Sequence, residues 1–228
     1  MKAMILAAGR GSRMRPLTDH MPKPLLEVGG QPLIIWHLQR LAAAGFTEIV
    51  INLAWQGNQI PKRLGDGSQW GLTIQYSDEQ SHGALETAGG IIKALDCLGD
   101  EPFFVINGDV WSDYSFDANF QLNQGDLCHL VLIDNPHHHP KGDFRLKHQR
   151  VLNDQCSQQS CLTFSGIAYY HPDLFKTYSQ GKRALAPVLI KAMNNGQASG
   201  EHFQGDWQDI GTVERLNSLN QQLKRKPT

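Results

Sequence analysis

The chain opens MKAMILAAGRGSRMRPLT, and residues 22–25 read PKPL. A short apolar run, residues 4–8, ends in alanines and glycine, which suggests a strand buried on both faces. Gly9 and Gly11 then let backbone N–H groups approach a phosphate closely, and Arg13, Arg15 and Lys23 add positive charge. Three phosphate sites begin this way. A dinucleotide fingerprint needs a third glycine where Met14 stands, and an acidic residue closing the second strand, which is missing. A P-loop needs a Gly-Lys-Ser/Thr run, also missing. The third is a triphosphate site in which the glycines supply backbone donors and Arg13 and Lys23 neutralise charge; a plain glycine-rich turn with solvent-exposed arginines is the alternative. A guanidinium fork suits two phosphate oxygens, and an ammonium acts as a point charge.

Downstream, apolar residues on helical spacing from Leu33 to Ala42 predict a helix capped by Gly45. Strands are expected over 46–53, 72–76, 102–107 and 128–134, with helices over 56–64 and 86–98. That alternation implies an α/β fold, a Rossmann-like, mostly parallel sheet with helices on both faces. After Pro140 the rhythm changes. Segments 143–152 and 161–170 read as strands with no long helix between them, so a small antiparallel addition is expected, followed by helices over 184–194 and 213–224. A single domain over 1–228 is expected.

A net charge of -1 argues against whole-surface attraction to nucleic acid or acidic membrane, so any basic site is local. Cys97, Cys128, Cys156 and Cys161 form no C-x-x-C pair and no zinc spacing, so scattered thiols in a reducing compartment are expected. The first apolar stretch is too short for a signal peptide, and no window reaches the ~20 apolar residues of a membrane span. A soluble, cytoplasmic protein is the expectation. His137, His138 and His139 are consecutive; all three cannot face one ion from an extended chain, so solvent exposure is expected.

The stretch 6–18, LAAGRGSRMRPLT, with PKPL at 22–25, resembles the signature of the sugar-1-phosphate nucleotidyltransferases. Asn107-Gly108-Asp109, Phe164-Ser165-Gly166-Ile167 and Trp207-Gln208-Asp209-Ile210-Gly211-Thr212 fall in the order of that family's later motifs. The resemblance implies a nucleoside triphosphate and a sugar 1-phosphate as substrates, pyrophosphate as a product and Mg2+ as cofactor. It implies Asp109 and Asp209 as metal ligands. Lys23 and Arg13 would hold the phosphates, with Arg10 and Arg15 open between contact and surface charge. Leu6, Ala7, Ala8, Leu85 and Gly90 would receive the base, beside Gly9, Gly11, Ser12 and Asn107. Asn107, Asp143, Ser165 and Gly166 would receive the sugar. Residues 1–135 would then be mainly nucleotide-binding and 136–228 mainly sugar-binding, carrying the second metal segment.

The length suits compact members of the family. LETAGGI at 85–91, GDF at 142–144 and SGEHF at 199–203 resemble the family members that use UTP and N-acetylmuramate 1-phosphate, and that resemblance implies those substrates and a step of peptidoglycan recycling. Mannose- or heptose-1-phosphate guanylyl transfer is the alternative. A non-catalytic nucleotide-sensing subunit predicts losses among Arg13, Lys23, Asp109 and Asp209, none of which is lost. Many family members carry a Glu-Lys-Pro segment whose lysine holds the sugar phosphate. This chain has none, and Lys141, Arg145, Lys182, Arg183 and His202 are the candidates in its place. No exposed heptad or long edge strand points to an oligomeric state.

Overall fold

The computed structural model describes residues 1–80, 83–154 and 161–225. In chain order the elements are β1 (Lys2–Leu6), β2 (Glu27–Val28), β3 (Gln31–Pro32), α1 (Leu33–Ala43), β4 (Glu48–Leu53), α2 (Gln59–Leu64), β5 (Thr73–Asp78) and α3 (Glu86–Leu98). Then follow β6 (Phe103–Asn107), β7 (Val110–Ser112), β8 (Cys128–Ile133), β9 (Phe144–Lys147), β10 (Arg150–Leu152) and β11 (Cys161–Tyr170). The chain continues through α4 (Asp173–Lys176), α5 (Leu185–Asn194), β12 (Ala198–Phe203), β13 (Trp207–Asp209) and α6 (Val213–Arg225).

The main sheet has nine strands in the order β5-β4-β1-β6-β11-β8-β12-β10-β9. β5, β4, β1 and β6 run parallel, β11 runs against both β6 and β8, and β12 pairs parallel with β8. Alternation along each strand sorts side chains between two cores. Ile5, Ile51, Ile106 and Tyr169 pack on one face with Ile34, Leu38 and Leu41 of α1. Met4, Val50, Val105 and Tyr170 pack on the other with Ile91 of α3, Phe175 of α4 and Leu189 of α5. Strands covered on both sides read as continuous apolar runs, which is why FFVIN and CHLVLI are almost wholly buried. A third cluster joins Met14 of the opening loop to Leu216 and Leu219 of α6.

Three sequence expectations change. The segment 143–152 is a hairpin, β9 and β10, rather than one strand. His148 and Gln149 have φ of 47° and 60° between them. Two successive positive φ values make the turn type that suits hairpin twist, and neither residue is a usual signal for it. Second, β9 and β10 do form an antiparallel edge, but β11 is built into the middle of the main sheet. Third, Cys97 and Cys128 are free while Cys161 is disulfide-bonded, so four independent thiols do not hold. The search for C-x-x-C spacing does not detect a bonded cysteine at the start of a strand. Cys156 lies outside the described residues. No helix among the described residues is long and apolar enough to cross a membrane.

Candidate active site

β1 and β6 end side by side, and Gly108 N–H donates to the Leu6 carbonyl at 2.9 Å just beyond them. This is the carboxyl edge of a parallel sheet, where open α/β folds place ligands. A cleft of about 200 Å³ opens there, lined by Leu6, Ala7, Ala8, Gly9, Lys23, Asn107 and Asp109 among others. Seven of the sequence-predicted residues therefore share one wall.

Gly11 turns the loop at φ +65, and a Cβ on it would stand 3.1 Å from Thr18 and 3.2 Å from the Lys23 stem. The Thr18 hydroxyl closes the loop by donating to the Gly11 carbonyl at 2.8 Å. The loop thus wraps Lys23, which is 8% exposed, and its ammonium donates to the Asp109 carboxylate. Ser12 and Arg13 lie in the short 3-10 turn that follows Gly11.

Asp209 reaches the same place through a pairing that the sequence does not advertise. β13 runs antiparallel to β7, with Asp209 opposite Val110, and Ile210 N–H donates to the Asp109 carbonyl at 2.8 Å. Arg215 of α6 donates to the Asp209 carboxylate and approaches Nε2 of His138 at 3.0 Å. That nitrogen lies 3.2 Å from Asp209. A Cβ on Gly211 would meet Asp209 at 2.9 Å, Arg215 at 3.0 Å and Arg13 at 3.2 Å, so both guanidiniums crowd this corner. Sequence reasoning missed Arg215 and His138. His139 likewise pairs with Asp143 at 2.9 Å, so of the histidine run two members face predicted site carboxylates rather than solvent alone.

Asn52 and Glu79 also line the cleft; buried Asn52 accepts from Ala7 N–H and donates to Glu79, both at 2.7 Å, and Glu79 accepts from Leu85 N–H at 2.9 Å. Glu79 is wholly buried, and a carboxylate there needs such partners. Gly90 leaves room for them, since a Cβ would lie 2.6 Å from Glu79 and 2.8 Å from Asn52. Leu85 gives its carbonyl to Arg183 N–H. Leu85 and Gly90 therefore stand behind the cleft, while Ala84, Glu86 and Thr87 line it.

A second cleft, about 420 Å³, shares Glu86, Thr87 and Asn107 with the first and adds Asp143, Phe144, Phe164 and Leu185. Asp143 accepts from Phe164 N–H at 2.8 Å. Gly166, at φ +79, sits in the irregularity of β11 with Asn107 packed directly against it. Ser165 turns inward, its hydroxyl donating to the Val131 carbonyl at 2.7 Å. Of the alternative cations, Arg145 pairs with Asp154, His202 with Asp134, and Lys182 with Glu86.

α1 supports the Asp109 turn from below. Arg40 donates to the Ser112 and Tyr114 carbonyls. His37, one turn earlier, faces the Gly108 backbone, yet neither ring nitrogen reaches a hydrogen-bond partner. Burial, reinforced by Arg40, lowers its pKa from 6.5 to about 3, so it is neutral.

A family model described as nucleotidyl transferase matches residues 2–142. The chain is 54% identical over 221 residues, 95% of each protein, to an N-acetylmuramate alpha-1-phosphate uridylyltransferase from Neisseria meningitidis. It is 32% identical to the Caulobacter vibrioides protein of the same name, covering 92% of this chain and 91% of that one. A mannose-1-phosphate guanyltransferase from Aspergillus fumigatus is also 32% identical, over 92% of this chain, which spans only 61% of that longer protein. The backbone superposes with a TM-score of 0.86 on a Bacillus anthracis crystal structure assigned as a glucose-1-phosphate thymidylyltransferase. That match covers 100% of this chain and 97% of the other at 23% identity, a likeness of fold.

Proposed function

We propose, on the premise that the chain belongs to the nucleotidyl transferase family, that it joins UTP and N-acetylmuramate α-1-phosphate. The products are UDP-N-acetylmuramate and pyrophosphate. The observation that supports this reading best is the meeting of Lys23, Asp109, Asp209 and Arg13 at the edge where β1 and β6 end.

In this reaction a phosphate oxygen of the sugar bonds to the α-phosphorus of UTP, and the bond from that phosphorus to the β-phosphate oxygen breaks. The attacking oxygen is already anionic, so no side-chain nucleophile is required. Catalysis then consists of alignment and charge stabilisation. Lys23 holds the α-phosphate end, Arg13 the departing β- and γ-phosphates, and Gly9, Gly11 and Ser12 offer backbone donors.

Asp109 and Asp209 suit magnesium, which takes one or two carboxylates and completes its shell with phosphates and water. When bound, the ion would offset phosphate charge; the pairs Lys23–Asp109 and Arg215–Asp209 hold the carboxylates in place for it.

The second cleft, with Asn107, Asp143, Phe164 and the bulge at Gly166, receives the sugar. In this assignment residues 1–135 mainly hold the nucleotide and 136–228 mainly the sugar, within one domain. Activation of an already phosphorylated muramic sugar fits peptidoglycan recycling in the cytoplasm, where UTP is available.

A pyrophosphate-release assay over four nucleoside triphosphates and several hexose 1-phosphates, with and without magnesium, tests the assignment. Fastest turnover with UTP and the muramate is expected. Preference for GTP with mannose 1-phosphate would replace this reading by guanylyl transfer, and activity without divalent metal would remove the cofactor.

A further inference from the structure

Glu86 opens α3 with φ +62. That left-handed conformation is costly for any residue with a Cβ and free for glycine. Little in the fold accounts for a glutamate there. Its ion pair with Lys182 is 3.4 Å long, and the two side chains are 44% and 70% exposed, so solvent screens it. Yet Glu86, with Thr87 and Asn107, lines both clefts and stands at their junction.

Charge restricts what it meets. Apart from its screened partner Lys182, the cations near the clefts engage other groups: Lys23 pairs with Asp109, and Arg13 approaches Arg215 and Asp209. A carboxylate repels phosphate and, when ionised, only accepts hydrogen bonds. Its ligand must present O–H or N–H groups on the uncharged side of the substrates. We infer that Glu86 is a specificity residue whose carboxylate accepts hydrogen bonds from sugar hydroxyls where the nucleotide and sugar clefts join. This rests on the nucleotidyl-transfer reading. Hydroxyls are carried by two rings, the ribose of the nucleotide and the ring of the sugar 1-phosphate.

Two variants and three substrate series test it. Glu86→Gly removes the carboxylate and the backbone conflict together, and Glu86→Gln keeps one acceptor oxygen. Assays use whichever nucleotide and sugar the wild type turns over fastest, so a GTP preference would defeat the uridylyl reading while leaving this test intact. Glu86→Gly is expected to keep or raise Tm, by up to about 5 °C. KM for one substrate should rise about tenfold or more, the usual cost of a lost hydrogen bond to a charged group, with partial recovery in Glu86→Gln. If the ribose is the ligand, the wild type prefers the ribonucleotide over its 2′- or 3′-deoxy form and Glu86→Gly erases the preference. If the hexose is the ligand, KM for the sugar phosphate rises and the ribose preference does not move. Unchanged KM for every substrate overturns the inference. A large fall in Tm also overturns it, by showing that the glutamate serves the fold.

Discussion

The Lys23 ammonium is hydrogen-bonded to the Asp109 carboxylate across 86 positions of sequence. Lys23 stands just after the opening loop and Asp109 just after β6, so their pairing is made by the parallel contact of β1 with β6. With Asp109 neutralised as the amide, Asp109→Asn, kcat should fall about 10²–10³-fold, the scale of losing one major electrostatic contact. The side chain is one-third exposed, so the variant should stay folded. Circular dichroism and a magnesium titration check this, and a near-normal rate would take Asp109 out of the proposed metal site.

Lys23→Ala should raise KM for the nucleotide and lower kcat together, since the ammonium serves both bound phosphates and developing charge. Lys23→Arg should recover only part, because a broad planar fork replaces a compact point charge in a buried position. Unaltered steady-state kinetics would refute the role.

Gly90→Ala would place a methyl 2.6 Å from the Glu79 carboxylate. The Asn52–Glu79 pair must shift, at a cost of about 1–3 kcal/mol. A lower Tm and a raised nucleotide KM should appear together, because Asn52 also holds the Ala7 N–H at the cleft wall.

Arg215→Ala should cost about tenfold in kcat by freeing Asp209 to reorient, while replacement of exposed His137 by glutamine should do little. His138→Gln should fall between them. Equal, negligible effects at all three would mean that the Asp209 cluster is ornamental.

His37 gives a pH signature. Its pKa is 6.5 unfolded and about 3 folded, so between those values the unfolded chain binds the extra proton. Stability is therefore full above pH 6.5 and declines as pH falls toward 3, by up to about 1.4 kcal/mol per pH unit. In denaturant titrations His37→Met should show a shallower acid slope than wild type. Parallel slopes would contradict the buried neutral state.

Much of the nucleotide side was legible because its signals are local. The apolar run before Gly9, the capped helix ending at Gly45 and the helix from Glu86 to Leu98 each follow from a few neighbouring residues. Their crossovers then bring Leu6, Lys23 and Asp109 together with little freedom. What stayed hidden depends on distant pairing. β12, read as ASGEHF, has no apolar alternation and is a strand because β8 lies beside it. β7 and β13 are three residues each, too short to carry a pattern, yet their ladder seats Asp209 beside Asp109. Arg215 and His138 could be found only after that ladder was known.

β11 enters the sheet against the direction of β6, so its middle, at Gly166 and Ile167, arrives beside Asn107 and Ile106 while its first residues pair with β9. Asp143, Phe144 and Phe164 of the second cleft lie where β9 pairs with the start of β11, while Leu6 and Asn107 of the first cleft close β1 and β6. Recutting residues 143–144 or Phe164 would reshape the second cleft and leave the Lys23–Asp109 pair in place, a separation set by one reversed strand.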